Sequence, residues 1–234
     1  QVFAIVGHDL RNPLGAVVMS AALLKQKGGL SGWQARTVDR CRASALRMGR
    51  IIDDLLSYTR TRLGGGIPVE RAATDLGAVV RRMVDELAAA HPEAQVLVET
   101  EGDLSGRWDP ARLEQVVSNL VSNAIDHGAE GAPVRVHAAG EQEAVHLVVA
   151  NRGEMPPGVV EHAFEAFQRG PESTGRKASG LGLGLFIARE IVRRHGGDIG
   201  VTCERGDTRV EVRLPRAEPG GEADRPGEGR STGG

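Results

Sequence analysis

Apolar residues at the start of the chain step by four and three: Phe3, Gly7, Leu10, Leu14, Val17, Ala21 and Leu24 form a heptad seam. A second seam, Val38, Cys41, Ala45, Met48, Ile52, Leu55 and Thr59, follows a Gly-rich break at residues 27–32. The spacing predicts two amphipathic helices joined by a short turn. Such a hairpin cannot bury its stripe alone. Residues 1–63 are therefore expected to pair with a second copy as a dimeric four-helix bundle. His8 lies off the seam and is expected to face outward.

Gly64-Gly65-Gly66 ends the second helix and predicts a hinge. Beyond it the pattern mixes helix and strand. Residues 67–71 read as a short strand, 76–90 as a helix and 96–100 as a strand. Asp109-Pro110 supplies an N-cap with proline at the first helical position, opening a helix to His127 that stops at Gly128. Residues 134–138 and 144–150 read as paired strands, followed by a loop-rich stretch to about residue 179. A helix from about Gly182 to His195 and a hairpin of strands 199–203 and 208–214 complete the pattern. The fold class is α+β: the helical hairpin, then an α/β sandwich over 67–216 with helices on one face of a mixed sheet. Residues 217–234 carry Gly, Pro, Glu and Arg without an apolar anchor and are expected to be disordered.

Composition narrows the partners. The formal net charge of -2 over 234 residues argues against a dedicated nucleic-acid surface. Cys41 and Cys203 suit neither a disulfide framework nor a metal cluster. No apolar run approaches the roughly 20 residues of a membrane span. The chain begins with Gln1 inside a helical pattern, as a cytoplasmic fragment would, and a sensor or membrane region could precede it. Aromatic residues are 3% of the chain, so Val, Leu, Ile and Ala must build the core.

Three segments carry candidate chemistry. His8-Asp9-Leu10-Arg11-Asn12-Pro13-Leu14 places an imidazole and an amide four residues apart on one helical face, with a carboxylate beside the histidine. Pro13 removes the helical partner of the Asp9 carbonyl and predicts a bend. A neutral imidazole is a competent nucleophile, and a neighbouring carboxylate can hold its tautomer and accept its proton. A surface histidine on an amphipathic helix is the plain alternative. Asn119 and Asn123 stack their amides on the polar face of the 109–127 helix, where their oxygens could serve a hard cation such as Mg²⁺. Ordinary surface placement is the alternative there. Gly180, Gly182 and Gly184 precede a helix whose free N–H groups suit phosphate, although the run fits neither a Rossmann turn nor a P-loop. His127, His146, His162 and His195 read as surface or capping residues, His195 favouring its positive form at a helix C-terminus.

Together these segments resemble the sensor histidine kinases of two-component systems, over nearly everything from Phe3 to Leu214. The His8–Leu14 stretch looks like the phosphoacceptor box of the dimerisation hairpin. Residues 113–127, with Asn119 and Asn123, look like the N box of a Bergerat-type ATP-binding domain. Phe164, Phe167 and Arg169 resemble the F box, and 180–185 the last glycine box. The resemblance implies that His8 takes the γ-phosphoryl group of ATP with Asp9 as general base, and that Asn119 and Asn123 hold Mg²⁺. It implies that Arg169 and Lys177 reach the phosphates from the lid. Asn12 would position water for phosphatase activity, and the phosphoryl group would pass to an aspartate of a response regulator.

One box departs from that pattern. In Asn151-Arg152-Gly153-Glu154-Met155-Pro156-Pro157 an asparagine stands where the family has an aspartate, and the second glycine is missing. The Asn151 amide oxygen can still accept from the adenine amino group without charge assistance, a loss of about 1 kcal/mol. Gly153 still lets the backbone pass close to the base. Two alternatives stay open: an impaired scaffold or phosphatase, and a Bergerat-fold serine kinase or ATPase. The resemblance implies that the handedness of the loop from Gly28 to Gly32 decides whether the phosphoryl group moves within one subunit or across the dimer.

Overall fold

The computed structural model describes residues 2–168 and 181–216. Helices α1 (Val2–Lys27) and α2 (Gly32–Arg62) form the hairpin. Pro13 sits inside a continuous α1. Gly28 and Gly29, both with φ above +70°, turn the chain, and the Gln34 side chain accepts from the Ser31 N–H at the start of α2. Among the described side chains of the two helices only Ala21, Ala45 and Leu56 are buried, while Leu10, Val17, Leu24, Met48 and Leu55 of the seams stay more than two-fifths exposed. A single hairpin leaves its stripe uncovered. The outward direction expected of His8 concerns a side chain outside the described ones.

The second unit runs β1 (Ala72–Asp75), α3 (Leu76–Ala90), β2 (Val96–Glu101), β3 (Ser105–Trp108), α4 (Pro110–His127), β4 (Val134–Gly140), β5 (Ala144–Arg152), α5 (Pro157–Val160), α6 (Gly184–Arg194), β6 (Asp198–Glu204) and β7 (Asp207–Pro215). The main sheet has the order β2-β4-β5-β7-β6; β2 pairs parallel with β4 and the other pairs are antiparallel. Burial alternates along β7 and, from Val145 on, along β5, with Val145, Leu147 and Val149 facing Val210, Val212 and Leu214 in one core. The helices cover that face. α4 buries Leu113, Val116, Val117, Leu120, Val121 and Ala124, each Val or Leu contributing about 1.5–3 kcal/mol of transfer free energy.

The strand expected at 67–71 is absent; the pairing segment is β1, which joins β3 in a separate two-stranded sheet. Pro68 has no N–H to offer a ladder, and the Glu70 N–H is taken by the Asp109 carboxylate at 2.9 Å. β3 itself was not foreseen. Its Trp108 is fully buried, with the indole N–H donating to the Pro215 carbonyl at 2.8 Å. Gly106 makes room for that ring, since a Cβ there would lie 2.3 Å from it. The helix expected from about Gly182 starts at Gly184, because Gly182 stands at φ +71°. The tail 217–234 lies outside the described residues.

His195 corrects a further expectation. It is fully buried rather than a surface cap, its ring closing the end of α6 against the start of α4. Nδ1 lies 2.8 Å from the Ile191 carbonyl, and Nε2 accepts from the Asp109 N–H at 3.0 Å. A nitrogen that accepts carries no proton, so the imidazole is neutral here. Burial pushes its pKa below 6.5, against the opposing pull of the Ile191 carbonyl.

Candidate functional site

α4 presents Asn119 and Asn123 one turn apart, both half-buried and off the apolar stripe. Asn119 Nδ2 donates to the Gly184 carbonyl at 3.1 Å, which commits the amide nitrogen and leaves Oδ1 as the acceptor. Gly184 is the first residue of α6, whose N-terminus has no side-chain cap. Asn119 thus meets a helix start with uncapped N–H groups, a setting suited to phosphate. Among the described residues no three His, Cys, Asp or Glu converge as a metal cage. Two amide oxygens fit a magnesium ion that draws its remaining ligands from water and phosphate.

The loop before α6 is tied to this point. Phe167 donates its N–H to the Gly182 carbonyl at 3.0 Å, and a Cβ at Gly182 would lie 2.5 Å from the Gln168 carbonyl oxygen. Only glycine fits that approach at φ +71°. Arg169, Lys177 and Gly180 lie outside the described residues.

Asn151 ends the inward row of β5, buried, beside the C-terminal end of α4. A Cβ at Gly128 would lie 3.7 Å from Asn151 Cβ, and one at Gly153 would lie 2.7 Å from the His127 carbonyl oxygen. Gly153 therefore passes close to the end of α4 at φ +154°. Thr208, paired with Asn151 across the sheet, donates its hydroxyl to the Gly153 carbonyl at 2.8 Å. Thr208 was not among the residues expected at the site; its signal in the sequence is a hydroxyl at an inward position of a strand otherwise filled by Val and Leu.

On the hairpin, His8, Asp9 and Asn12 belong to α1, with the Asp9 and Asn12 side chains exposed. Arg11, one turn after His8, pairs with Asp53 of α2 at 2.6 Å. The two halves of the chain meet at a cleft of about 290 Å³ whose lining includes Arg11, Arg50, Asp54, Arg60, Arg112 and Asn119. Burial, reinforced by Asp53, pushes the Asp54 carboxyl up to about 6 against the pull of Arg50. Beside the cleft, the Tyr58 ring of α2 packs edge-on against Phe167 at 5.0 Å and Phe186 at 5.5 Å. The site is thus assembled from both halves. Tyr58, Asp54 and the arginines of α2 were also missed, because their role needs a neighbour from another element.

Comparison with known proteins follows the same division. Residues 1–64 match the family described as His Kinase A (phospho-acceptor) domain. Residues 108–218 match the histidine kinase-, DNA gyrase B- and HSP90-like ATPase family. A bacteriophytochrome of Pseudomonas aeruginosa is 34% identical over 94% of this chain and 30% of its own length. The probable sensor histidine kinase TcrY of Mycobacterium tuberculosis is 33% identical over 92% of this chain and 45% of its own. The chain thus spans less than half of either relative. Among solved structures, full-length ShkA in complex with AMPPNP aligns with TM-score 0.69 and 26% identity, over 92% of this chain and 46% of that one. The nucleotide-free catalytic domain of histidine kinase ThkA aligns with TM-score 0.56 and 26% identity, over 63% of this chain and 96% of that one. With a phosphoacceptor hairpin followed by a Bergerat-type ATPase domain, the chain belongs to the two-component sensor histidine kinases.

Proposed function

We propose that this chain binds ATP, phosphorylates itself on His8 and passes the phosphoryl group to an aspartate of a response regulator. The observation that carries the proposal is the shared cleft: Arg11, one turn after His8, and Asn119 of α4 line the same space. Asn119 and Asn123 hold Mg²⁺, which neutralises charge on the phosphates. Asn151 accepts from the adenine amino group, and Gly153 lets the base approach the backbone. Gly182 and Gly184 bring the N-terminus of α6 to the phosphates, with Gly180, Arg169 and Lys177 contributing from the lid. Asp9 takes the imidazole proton, and Asn12 orients water when the bound regulator is dephosphorylated. AMPPNP in the ShkA structure supports nucleotide binding by this fold.

Residues 1–63 serve as the dimerisation and phosphotransfer unit, 64–66 as a hinge and 67–216 as the ATP-binding domain. The exposed seam from Leu10 to Leu24 and from Met48 to Leu55 supports a homodimer through a four-helix bundle. Among the described residues no helix is long and apolar enough to cross a membrane. A cytoplasmic position for this part of the protein agrees with its proposed substrate and partner.

Labelling with ATP radioactive at the γ-phosphate tests the proposal, comparing the chain with His8→Gln and Asn123→Ala. Acid-labile, base-stable label lost from both variants supports it. Nucleotide binding without incorporation favours an impaired scaffold or phosphatase, the outcome to which the uncharged Asn151 points. Acid-stable label that persists in His8→Gln overturns phosphohistidine chemistry.

A further inference from the structure

The hairpin and the catalytic domain docked on it belong to one chain, and three observations hold that domain beside its own phosphoacceptor. First, the Arg11–Asp53 pair sets the antiparallel register of α1 and α2. His8, one turn earlier in α1, therefore lies level with the turn of α2 around Leu56. Second, Tyr58 on that turn packs on Phe167 and Phe186 of the same chain's catalytic domain. Third, the connection over residues 63–71 reaches only roughly 30 Å at full extension, and it is pinned. Gly66, at φ +60°, leaves no room for a Cβ against the Arg194 guanidinium, and Arg71 donates to the Arg194 carbonyl at 2.9 Å.

The cleft so formed has the charge of a phosphate chamber. On α2, Arg50, Asp53, Ser57 and Arg60 recur at three and four residues and share a face. Four guanidinium groups, from Arg11, Arg50, Arg60 and Arg112, face two carboxylates, Asp53 and Asp54. Asp53 is already matched to Arg11, and burial biases Asp54 toward its neutral form. The excess is positive and adjoins Asn119.

We infer that phosphoryl transfer is intramolecular, the γ-phosphate of ATP bound by one chain passing through this chain's own cleft, lined by Arg11, Arg60 and Arg112, to its own His8. The inference rests on the kinase function proposed above. The bond between the γ-phosphorus and the bridging oxygen breaks, a P–N bond forms at the imidazole, and ADP leaves. The proton on the other ring nitrogen passes to Asp9.

Mixed dimers test it, each isolated through two different tags and labelled with γ-radioactive ATP and Mg²⁺. The first joins a His8→Gln chain to an Asn123→Ala chain. The second joins a wild-type chain to a His8→Gln/Asn123→Ala chain. Intramolecular transfer labels the second dimer and leaves the first at background. Label on the Asn123→Ala chain of the first dimer, with none in the second, overturns the inference, since that pattern requires transfer between subunits. A variant that misfolds cannot imitate the expected result, because the second dimer must gain label on its wild-type chain. A wild-type homodimer that takes no label at all overturns the kinase function itself, and with it this inference.

Discussion

His195 Nε2 accepts a hydrogen bond from the Asp109 backbone N–H at 3.0 Å, joining the last turn of α6 to the first turn of α4. The Asp109 carboxylate meanwhile accepts from Arg112 N at 3.1 Å and from Glu70 N at 2.9 Å. One buried imidazole and one buried carboxylate thus set the angle between the helix that carries Asn119 and the helix that begins at Gly184.

This junction makes stability depend on pH. The folded-state pKa of His195 lies below 6.5, so the unfolded chain binds the proton more readily. Its contribution is complete above 6.5 and is lost as pH falls below that value. The urea midpoint is expected to drop between about pH 8 and about pH 5.5. In His195→Leu the Asp109 N–H loses its buried partner, which costs about 1–3 kcal/mol at neutral pH and flattens the profile. An unchanged pH profile in that variant would show that the imidazole does not titrate with folding.

Asp54 acts with the opposite sign. Its folded pKa of about 6 stands above the ordinary 3.8, so the folded chain holds the proton more tightly. Stability falls as pH rises from 3.8 to about 6, and the cost persists above that window. Asp54→Asn is expected to raise the thermal midpoint at neutral pH, with the gain vanishing below the ordinary carboxylate range. Calorimetry across that window measures the crossover.

The uncharged Asn151 predicts a nucleotide site weaker than a carboxylate would make. Asn151→Asp is expected to tighten binding of a non-hydrolysable ATP analogue with Mg²⁺ by about 1 kcal/mol, roughly fivefold. Thr208 is committed to the Gly153 carbonyl and does not compete. Titration calorimetry gives the affinities directly; equal values would remove Asn151 from the adenine contact.

Tyr58 holds the two halves of the chain together through Phe167 and Phe186, each aromatic pair contributing about 0.5–1.5 kcal/mol. Tyr58→Ala is expected to release the catalytic domain from the hairpin. Limited proteolysis within residues 63–71 should then accelerate, while the circular dichroism of both halves is retained. Cleavage at the wild-type rate would place the docking energy elsewhere.

Periodic burial explains why much of the fold was readable from one chain. The α4 stripe from Leu113 to Ala124 repeats at the helical period, and Asp109 with Pro110 marks its start, so its bounds came out as expected. β5 and β7 alternate inward and outward with few exceptions, which made them legible as strands. The segment 67–71 misled because Ile67 and Val69 are apolar at alternate positions. The Glu70 N–H, however, is claimed by Asp109, thirty-nine residues away in sequence. His195 misled for the same reason: a histidine after a helix ordinarily meets water, and only the start of α4 supplies the buried N–H that makes it an acceptor.

The sequence alone determined the two halves, the hairpin's apolar seams and the amide pair on α4, because heptads, caps and i, i+4 spacing are local properties of the chain. Tertiary structure alone decided which of those groups meet. Asn119 finds the Gly184 carbonyl sixty-five residues on. Tyr58 reaches Phe167, and Arg11 shares a cleft with Asn119, only after the catalytic domain docks on the hairpin. Such contacts leave no periodic trace, since each is set by the packing of elements far apart in sequence.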